Sequence, residues 1–168
     1  MLLWEDPENE GVVEGCDYVN PHRVLIDDPA PVRWRAPQVK ENVDLNKWFL
    51  RWLVLRETKE IIGSISFHGA PNAHGMIEIG LGVDEGFRHH GYAREALLGM
   101  WSWAIDDPLV KVLRYTVSST NLPSVKLVEG FAFERKGVQV DDVDGPEEIY
   151  ELTALEFRRR LASPWKGQ

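Results

Sequence analysis

The central third of the chain alternates apolar and polar positions in a way that predicts strands. Trp48 to Leu55 carries aromatic and aliphatic side chains on both alternating faces, as a central strand does, with Trp48 and Trp52 on one face as core residues. The polar turn Glu57-Thr58-Lys59-Glu60 leads into Ile61 to Phe67, where Ile61, Ile65 and Phe67 share a face, so the two runs read as an antiparallel hairpin. After the loop at 69–75 a third strand runs from Met76 to Val83. Its isolated glycines, Gly80 and Gly82, mark a bulge or a place where another backbone or a ligand comes close.

The period then changes. Ala93, Ala96, Leu97, Met100, Trp101 and Ala104 fall on one helical face, which predicts a helix over 92–106 ended by Asp107-Pro108, with Trp101 in the core. The β-branched and aromatic run Val112 to Val117 predicts a strand, and its return through a helix implies a parallel pair. Ser119-Thr120-Asn121 is rich in capping residues and Pro123 suits a first helical turn, giving a short helix to about Gly130. Phe131 to Val140 and Glu148 to Thr153 read as a closing hairpin around 141–146. Residues 1–46, punctuated by Pro7, Pro21, Pro29, Pro31 and Pro37, read as short helices joined by loops.

Composition narrows the class. At 168 residues, 43% hydrophobic and 27% charged, the chain reads as one soluble domain. No apolar run approaches the roughly 20 residues of a membrane span, and Met1-Leu2-Leu3-Trp4 is followed at once by Glu5 and Asp6. The expectation is therefore a cytoplasmic protein with no membrane partner. A formal charge of -8 argues against nucleic acid as a partner, because phosphate contacts need a basic face. The one basic run, Arg158-Arg159-Arg160, reads as the solvated face of a last helical turn. Cys16, the single cysteine, has no internal disulfide partner and is expected to be a buried or idle thiol.

The junction GFRHHGYA, residues 86–93, is the chemically distinctive stretch. A glycine where a strand loop enters a helix lets successive N–H groups turn toward one point, beside the positive end of the helix dipole. Arg88, His89 and His90 add positive charge at the same spot, so an anion such as a pyrophosphate fits. The spacing alone is common; its place between a glycine-bearing strand and an amphipathic helix makes it specific. A dinucleotide fingerprint is excluded because Glu85 stands where its third glycine belongs, and no Gly-Lys-Ser/Thr exists for a triphosphate loop. Adjacent histidines diverge, and neither has a carboxylate or Cys at ligand spacing, so no metal is expected.

In this order and spacing the strand Glu78-Ile79-Gly80-Leu81-Gly82-Val83, the junction Arg88-His89-His90-Gly91-Tyr92-Ala93 and the later Asn121-Leu122-Pro123-Ser124 resemble the GNAT superfamily of acyl-CoA-dependent N-acetyltransferases, within it the RimJ/RimL-like branch. The resemblance covers about residues 48–154. It implies one GNAT domain over 1–168: an α/β (α+β type) fold with a mixed, mostly antiparallel sheet of six or seven strands flanked by helices. Residues 48–154 would be its cofactor-binding core and 1–46 a variable acceptor-side segment.

It also implies that acetyl-CoA, as co-substrate, rests its pyrophosphate on the backbone of Arg88, His89, His90, Gly91, Tyr92 and Ala93. The pantetheine arm would pair with the main chain of Leu81, Gly82 and Val83 and bond Asn121, and Ser124 would face the thioester. Glu78 matches the strand glutamate that takes the amine proton. The partner would be a primary amine, either a protein N-terminus or a small molecule; the resemblance admits a homodimer. Two positions depart from the family pattern. Val128 stands where many members carry a tyrosine that protonates the leaving thiolate, and Ala132-Phe133 replaces the usual Gly-Phe, with Gly130-Phe131 two residues earlier.

An N-terminal amine, with a pKa of about 7.7 to 8.0, is partly neutral at physiological pH and asks less of a base than a lysine at about 10.4. Glu78, alone or with a water, is the candidate base; the alternative for it is a structural ion pair. His68 and His74 read either as lining an acceptor cleft or as surface histidines. Two further readings remain open: a non-catalytic acyl-CoA-binding sensor, favoured by Val128, and a purely structural domain, which leaves Gly91 and Asn121 without a role.

Overall fold

The computed structural model describes residues 17–143 and 145–162. Six strands, β1 (Arg51–Val54), β2 (Ile61–Phe67), β3 (Met76–Val83), β4 (Val112–Val117), β5 (Glu134–Asp141) and β6 (Gly145–Thr153), form a sheet in the order β1-β2-β3-β4-β6-β5. Helices α1 (Ala30–Glu41), α2 (Tyr92–Ala104), α3 (Leu122–Gly130) and α4 (Ala154–Leu161) flank it. This is the expected mixed, mostly antiparallel fold, with six strands among the described residues. The described residues group into two compact units, one within Met1–His68 with Leu81–Leu97 and the other within Gly69–Gly80 with Leu98–Gln168.

In the first unit β1 and β2 pair antiparallel, Arg51 opposite Ile65 and Leu53 opposite Gly63. Every residue of β2 is buried, which fits a strand covered on both faces. The expected strand from Trp48 is shorter than its pattern. The Asn42 side chain accepts from the Asp44 N–H and opens a 3₁₀ turn, Val43–Trp48, so the strand begins only at Arg51. Trp48 is nevertheless core, its ring edge-on to Phe67 at 5.9 Å with the Lys47 ammonium 4.7 Å over its face. A Cβ on Gly63 would stand 2.3 Å from the Gly82 carbonyl oxygen, so only glycine lets β2 lie this close to the end of β3. Of residues 17–46, Ala30–Glu41 is helical and a loop precedes it, as the prolines suggest. Cys16 lies outside the described residues.

In the second unit β3 runs parallel to β4, Met76 opposite Val112 through Ile79 opposite Tyr115, and β4 pairs antiparallel with β6. Trp101, fully buried, organises the apolar side. Phe133 stacks on it at 4.6 Å, and Phe131 (5.0 Å), Phe157 (5.8 Å) and Tyr115 (6.5 Å) meet it edge-on.

Three boundaries differ from the pattern. Helix α2 stops at Ala104, because the Asp107 N–H turns back to the Ala104 carbonyl and the Asp107 carboxylate accepts from Leu109. Phe131–Phe133 is not strand: Ala132 has φ 56° and Phe133 donates back to the Val128 carbonyl, a helix-ending turn that spends the run's apolar side chains on Trp101. Strand β6 starts at Gly145 rather than Glu148.

Thr153 caps α4 by accepting from the Glu156 N–H, and Arg158 of the basic run donates to the Ile105 carbonyl and to Asp106. Among the described residues strand β5 is a sheet edge, and Val138 and Val140 on it are exposed. Among the described residues no helix is long and apolar enough to cross a membrane.

Candidate active site

The junction begins where β3 ends. The Asp84 N–H donates to the Ile62 carbonyl at 2.8 Å, tying the strand end to β2, and the Asp84 carboxylate then accepts from the Gly86 N–H at 3.0 Å. This local bond is what aspartate does at a turn, and it starts a single 3₁₀ turn, Glu85–Phe87. His22 braces the turn from the N-terminal segment: its ring meets Phe87 edge-on at 4.9 Å and its Nδ1 lies 3.9 Å from Asp84 Oδ1.

Beyond the turn the backbone takes the left-handed conformation twice, at His89 (φ 65°) and at Gly91 (φ 86°). Alternation of this kind aims successive N–H groups to one side, the arrangement that cradles anions. His90 Nδ1 lies 2.7 Å from the Arg88 carbonyl. A ring nitrogen can bond a carbonyl only by donating, so this nitrogen carries a hydrogen, and the ring stacks on Tyr92 at 5.8 Å. Arg88 Nε donates to the Val83 carbonyl at 3.1 Å, closing the loop on β3. The first bond of α2 runs from Glu95 N–H to the Gly91 carbonyl, so the N–H groups of Tyr92 and Ala93 have no intrahelical acceptor. Nothing lies within 4 Å of where a Cβ would stand on Gly82 or Gly91. The loop thus combines donors, dipole, a cation and open space, which is what a phosphate group requires.

Leu81, Gly82 and Val83 share the first unit with the junction, and Glu78, Asn121 and Ser124 lie in the second. Glu78, half-buried on β3, accepts a 2.6 Å hydrogen bond from the Thr116 hydroxyl of β4. Arg114, directly opposite Glu78 in the parallel ladder, gives both Nε (2.8 Å) and Nη2 (2.6 Å) to Glu151 of β6. The expected alternative for Glu78, an ion pair, therefore falls to Glu151 as far as Arg114 is concerned. Asn121 caps α3, its side chain accepting from the Ser124 N–H at 3.3 Å. Burial pushes the Tyr115 phenol above its usual pKa and the Glu147 carboxylate adds to this, against an opposing pull from Ser124. Val128, one turn beyond Ser124, is fully buried.

His68 is exposed just past β2, and His74 is exposed in a loop where its own N–H donates to Asn72. Among the described residues no three His, Cys, Asp or Glu side chains gather to hold a metal. Sequence reasoning missed Thr116, His22 and Asp84. Only Asp84 had a local signal, an aspartate two residues before Gly86; the others act across 38 to 65 positions in the chain.

A sequence profile described as an acetyltransferase (GNAT) domain matches residues 17–134. Over 96 residues the chain is 32% identical to the uncharacterized N-acetyltransferase YjdG of Bacillus subtilis (strain 168), covering 55% of this chain and 57% of that protein. Over 89 residues it is 26% identical to the uncharacterized N-acetyltransferase p20 of Bacillus licheniformis, covering 53% and 50%. The chain thus spans about half the length of the curated relatives it matches.

Solved structures of the same fold include two acetyltransferases. The ribosomal-protein-S5-alanine acetyltransferase of Vibrio fischeri superimposes with a TM-score of 0.62 at 16% identity, covering 79% of this chain and 72% of that one. Mutant forms of the spermidine/spermine N-acetyltransferase SpeG of Vibrio cholerae give 0.62 at 15%, covering 77% and 78%. With the profile matching well over half of its length, the chain belongs to the GNAT acetyltransferase family.

Proposed function

We propose that the chain transfers an acetyl group from acetyl-CoA to a primary amine by direct attack in a ternary complex, and that it falls in the RimJ/RimL-like branch. The observation that carries this reading is the anion cradle at the start of α2, where His89 and Gly91 turn the backbone outward. There Arg88 to Ala93 bind the pyrophosphate. The pantetheine arm pairs with Leu81, Gly82 and Val83, where the open side of Gly82 supports a close approach, and bonds Asn121.

The neutral amine attacks the thioester carbon, and Glu78, held by Thr116, takes the proton the nitrogen sheds. The oxyanion is met by main-chain N–H near Leu81 or Gly82. The C–S bond then breaks, and the sulfur leaves as a thiolate of pKa about 8.5, which needs only a hydrogen bond from Ser124 and a proton from water.

A second reading, an acyl-CoA-binding module without turnover, draws on Val128, which is buried and apolar where a general acid stands in many relatives. The two separate in one assay. Purified protein is given acetyl-CoA with spermidine, with a peptide beginning in alanine or with one beginning in serine, and free CoA is measured. Amine-dependent release that falls at least about a hundredfold in Glu78→Gln supports transfer. Binding of acetyl-CoA with no release on any of the three overturns it in favour of the module.

A further inference from the structure

We propose that residues 19–27 are a strut for the anion cradle, and that His22 at its tip is a positioning residue that fixes where the N–H groups from Arg88 to Ala93 converge. The inference rests on the reading that this loop holds the pyrophosphate of acetyl-CoA. It moves these residues from the acceptor side, where the family resemblance puts them, to the support of the acetyl donor.

The segment is built to hold its shape. Asn20-Pro21-His22-Arg23 closes a turn, the Arg23 N–H donating to the Asn20 carbonyl at 3.1 Å, with proline at the second position, where its fixed φ suits a turn. The Asn20 side chain accepts from the Val24 N–H (2.9 Å) and donates to the Val24 carbonyl (3.2 Å). Arg23 Nε donates to the Asp27 carboxylate at 2.7 Å, and the N–H groups of Ile26 and Asp27 both return to the Arg23 carbonyl. The foot of the strut stands on the sheet: Val19 donates to the Lys59 carbonyl at 3.0 Å and accepts from the Ile61 N–H at 2.8 Å.

The next residue of β2 closes a ring of contacts. The Ile62 carbonyl holds the Asp84 N–H, Asp84 opens the 3₁₀ turn, and His22 meets that turn at both ends, with Asp84 Oδ1 3.9 Å from its Nδ1 and Phe87 edge-on at 4.9 Å. At 3.9 Å the pair attracts without a hydrogen bond, so the ring contact is the firmer hold. Phe87 leads directly into Arg88 and the left-handed His89 and Gly91, so a shift of its backbone would re-aim the donors behind it. His22 Nε2 is buried with no hydrogen-bond partner among the described residues. Burying it is unfavourable for folding, and a leucine would fill the place without that cost. Folding stability alone therefore does not account for a histidine here.

The test needs no acceptor. Inorganic pyrophosphate is titrated as a competitor of acetyl-CoA binding. His22→Ala is expected to weaken pyrophosphate about threefold to tenfold, the worth of one aromatic edge contact, and acetyl-CoA by the same factor. A generally loosened fold would lose more on acetyl-CoA, whose pantetheine arm lies along β3. His22→Leu should weaken pyrophosphate at least about twofold while the melting temperature stays at or above that of the wild type. His22→Ala combined with Phe87→Ala should go little further than Phe87→Ala alone.

If pyrophosphate competes and His22→Ala leaves it unchanged, or if the His22 and Phe87 effects simply add, this proposal is overturned while the cradle stands. If acetyl-CoA binds and pyrophosphate does not compete, the cradle reading fails and the proposal with it. Should His22→Ala not fold, His22→Leu decides: unchanged pyrophosphate binding in that variant overturns the proposal.

Discussion

Thr116 Oγ1 donates to Glu78 Oε1 at 2.6 Å across two parallel strands, although the ladder places Arg114, not Thr116, opposite Glu78. The carboxylate is thus held by a neighbour one step along the same face of β4, while the guanidinium across from it is committed to Glu151. If Glu78 is the base, Thr116→Val removes its anchor at nearly constant volume. The expected result is a fall in kcat of roughly tenfold, the worth of one hydrogen bond to a charged group. KM for acetyl-CoA should be unchanged and Thr116→Ser should keep the rate. Steady-state kinetics decide it, and an unchanged kcat in Thr116→Val removes the anchor role.

Two glycines should fail differently. Gly91 has φ 86° with open space around it, so Gly91→Ala costs backbone strain of about 1 to 2 kcal/mol. It should weaken acetyl-CoA binding more than it lowers the melting temperature. At Gly63 a Cβ meets backbone at 2.3 Å, so Gly63→Ala must push β2 from β3 and should lower the melting temperature by more than Gly91→Ala does. Calorimetric melting and binding titration on the same two variants compare them.

Tyr115 also predicts how stability responds to alkali. Its folded pKa lies above the ordinary value of 10.0, so between the two values the unfolded chain has lost the phenolic proton and the folded one keeps it. Stability from this group is full below pH 10 and declines as pH rises above it. Denaturant melts should show that decline, and Tyr115→Phe should flatten it.

Placing at 128 the tyrosine that the family resemblance leads one to expect should not supply an acid. Val128 is fully buried, so Val128→Tyr overpacks the underside of α3 and is expected to cost about 1 to 3 kcal/mol without raising kcat. Melting temperature and turnover of the same variant check both halves of the expectation.

How far the chain could be read depended on whether the signal was local. Strands β2, β3 and β4 follow their sequence patterns residue for residue, because β-branched and apolar runs bounded by turns leave few alternatives. The parallel pairing of β3 and β4 followed from the helix between them. Trp48 misled because an aromatic residue before a strand has the same pattern as one within it, and the Asn42 cap that separates them works through a single side chain. Phe131 and Phe133 misled because both side chains meet one tryptophan, the first edge-on and the second stacked, rather than lining the face of a sheet. At the candidate site the junction 88–93 could be read because glycine and helix start are neighbours in sequence. Thr116 lies 38 positions from the carboxylate it holds, and no pattern within a window of ordinary length joins them.

The edge strand β5 bears on how copies of the protein behave at high concentration. Its outer main-chain groups and the exposed Val138 and Val140 make a template on which another strand could add. The net charge of -8 opposes that approach, but only over the reach of the field, about 10 Å at 0.1 M salt and about 3 Å at 1 M. Solutions dilute in salt should therefore stay monodisperse while concentrated brine promotes strand-to-strand association. Val140→Lys should make light scattering indifferent to that change, without touching any residue assigned to the acetyl donor.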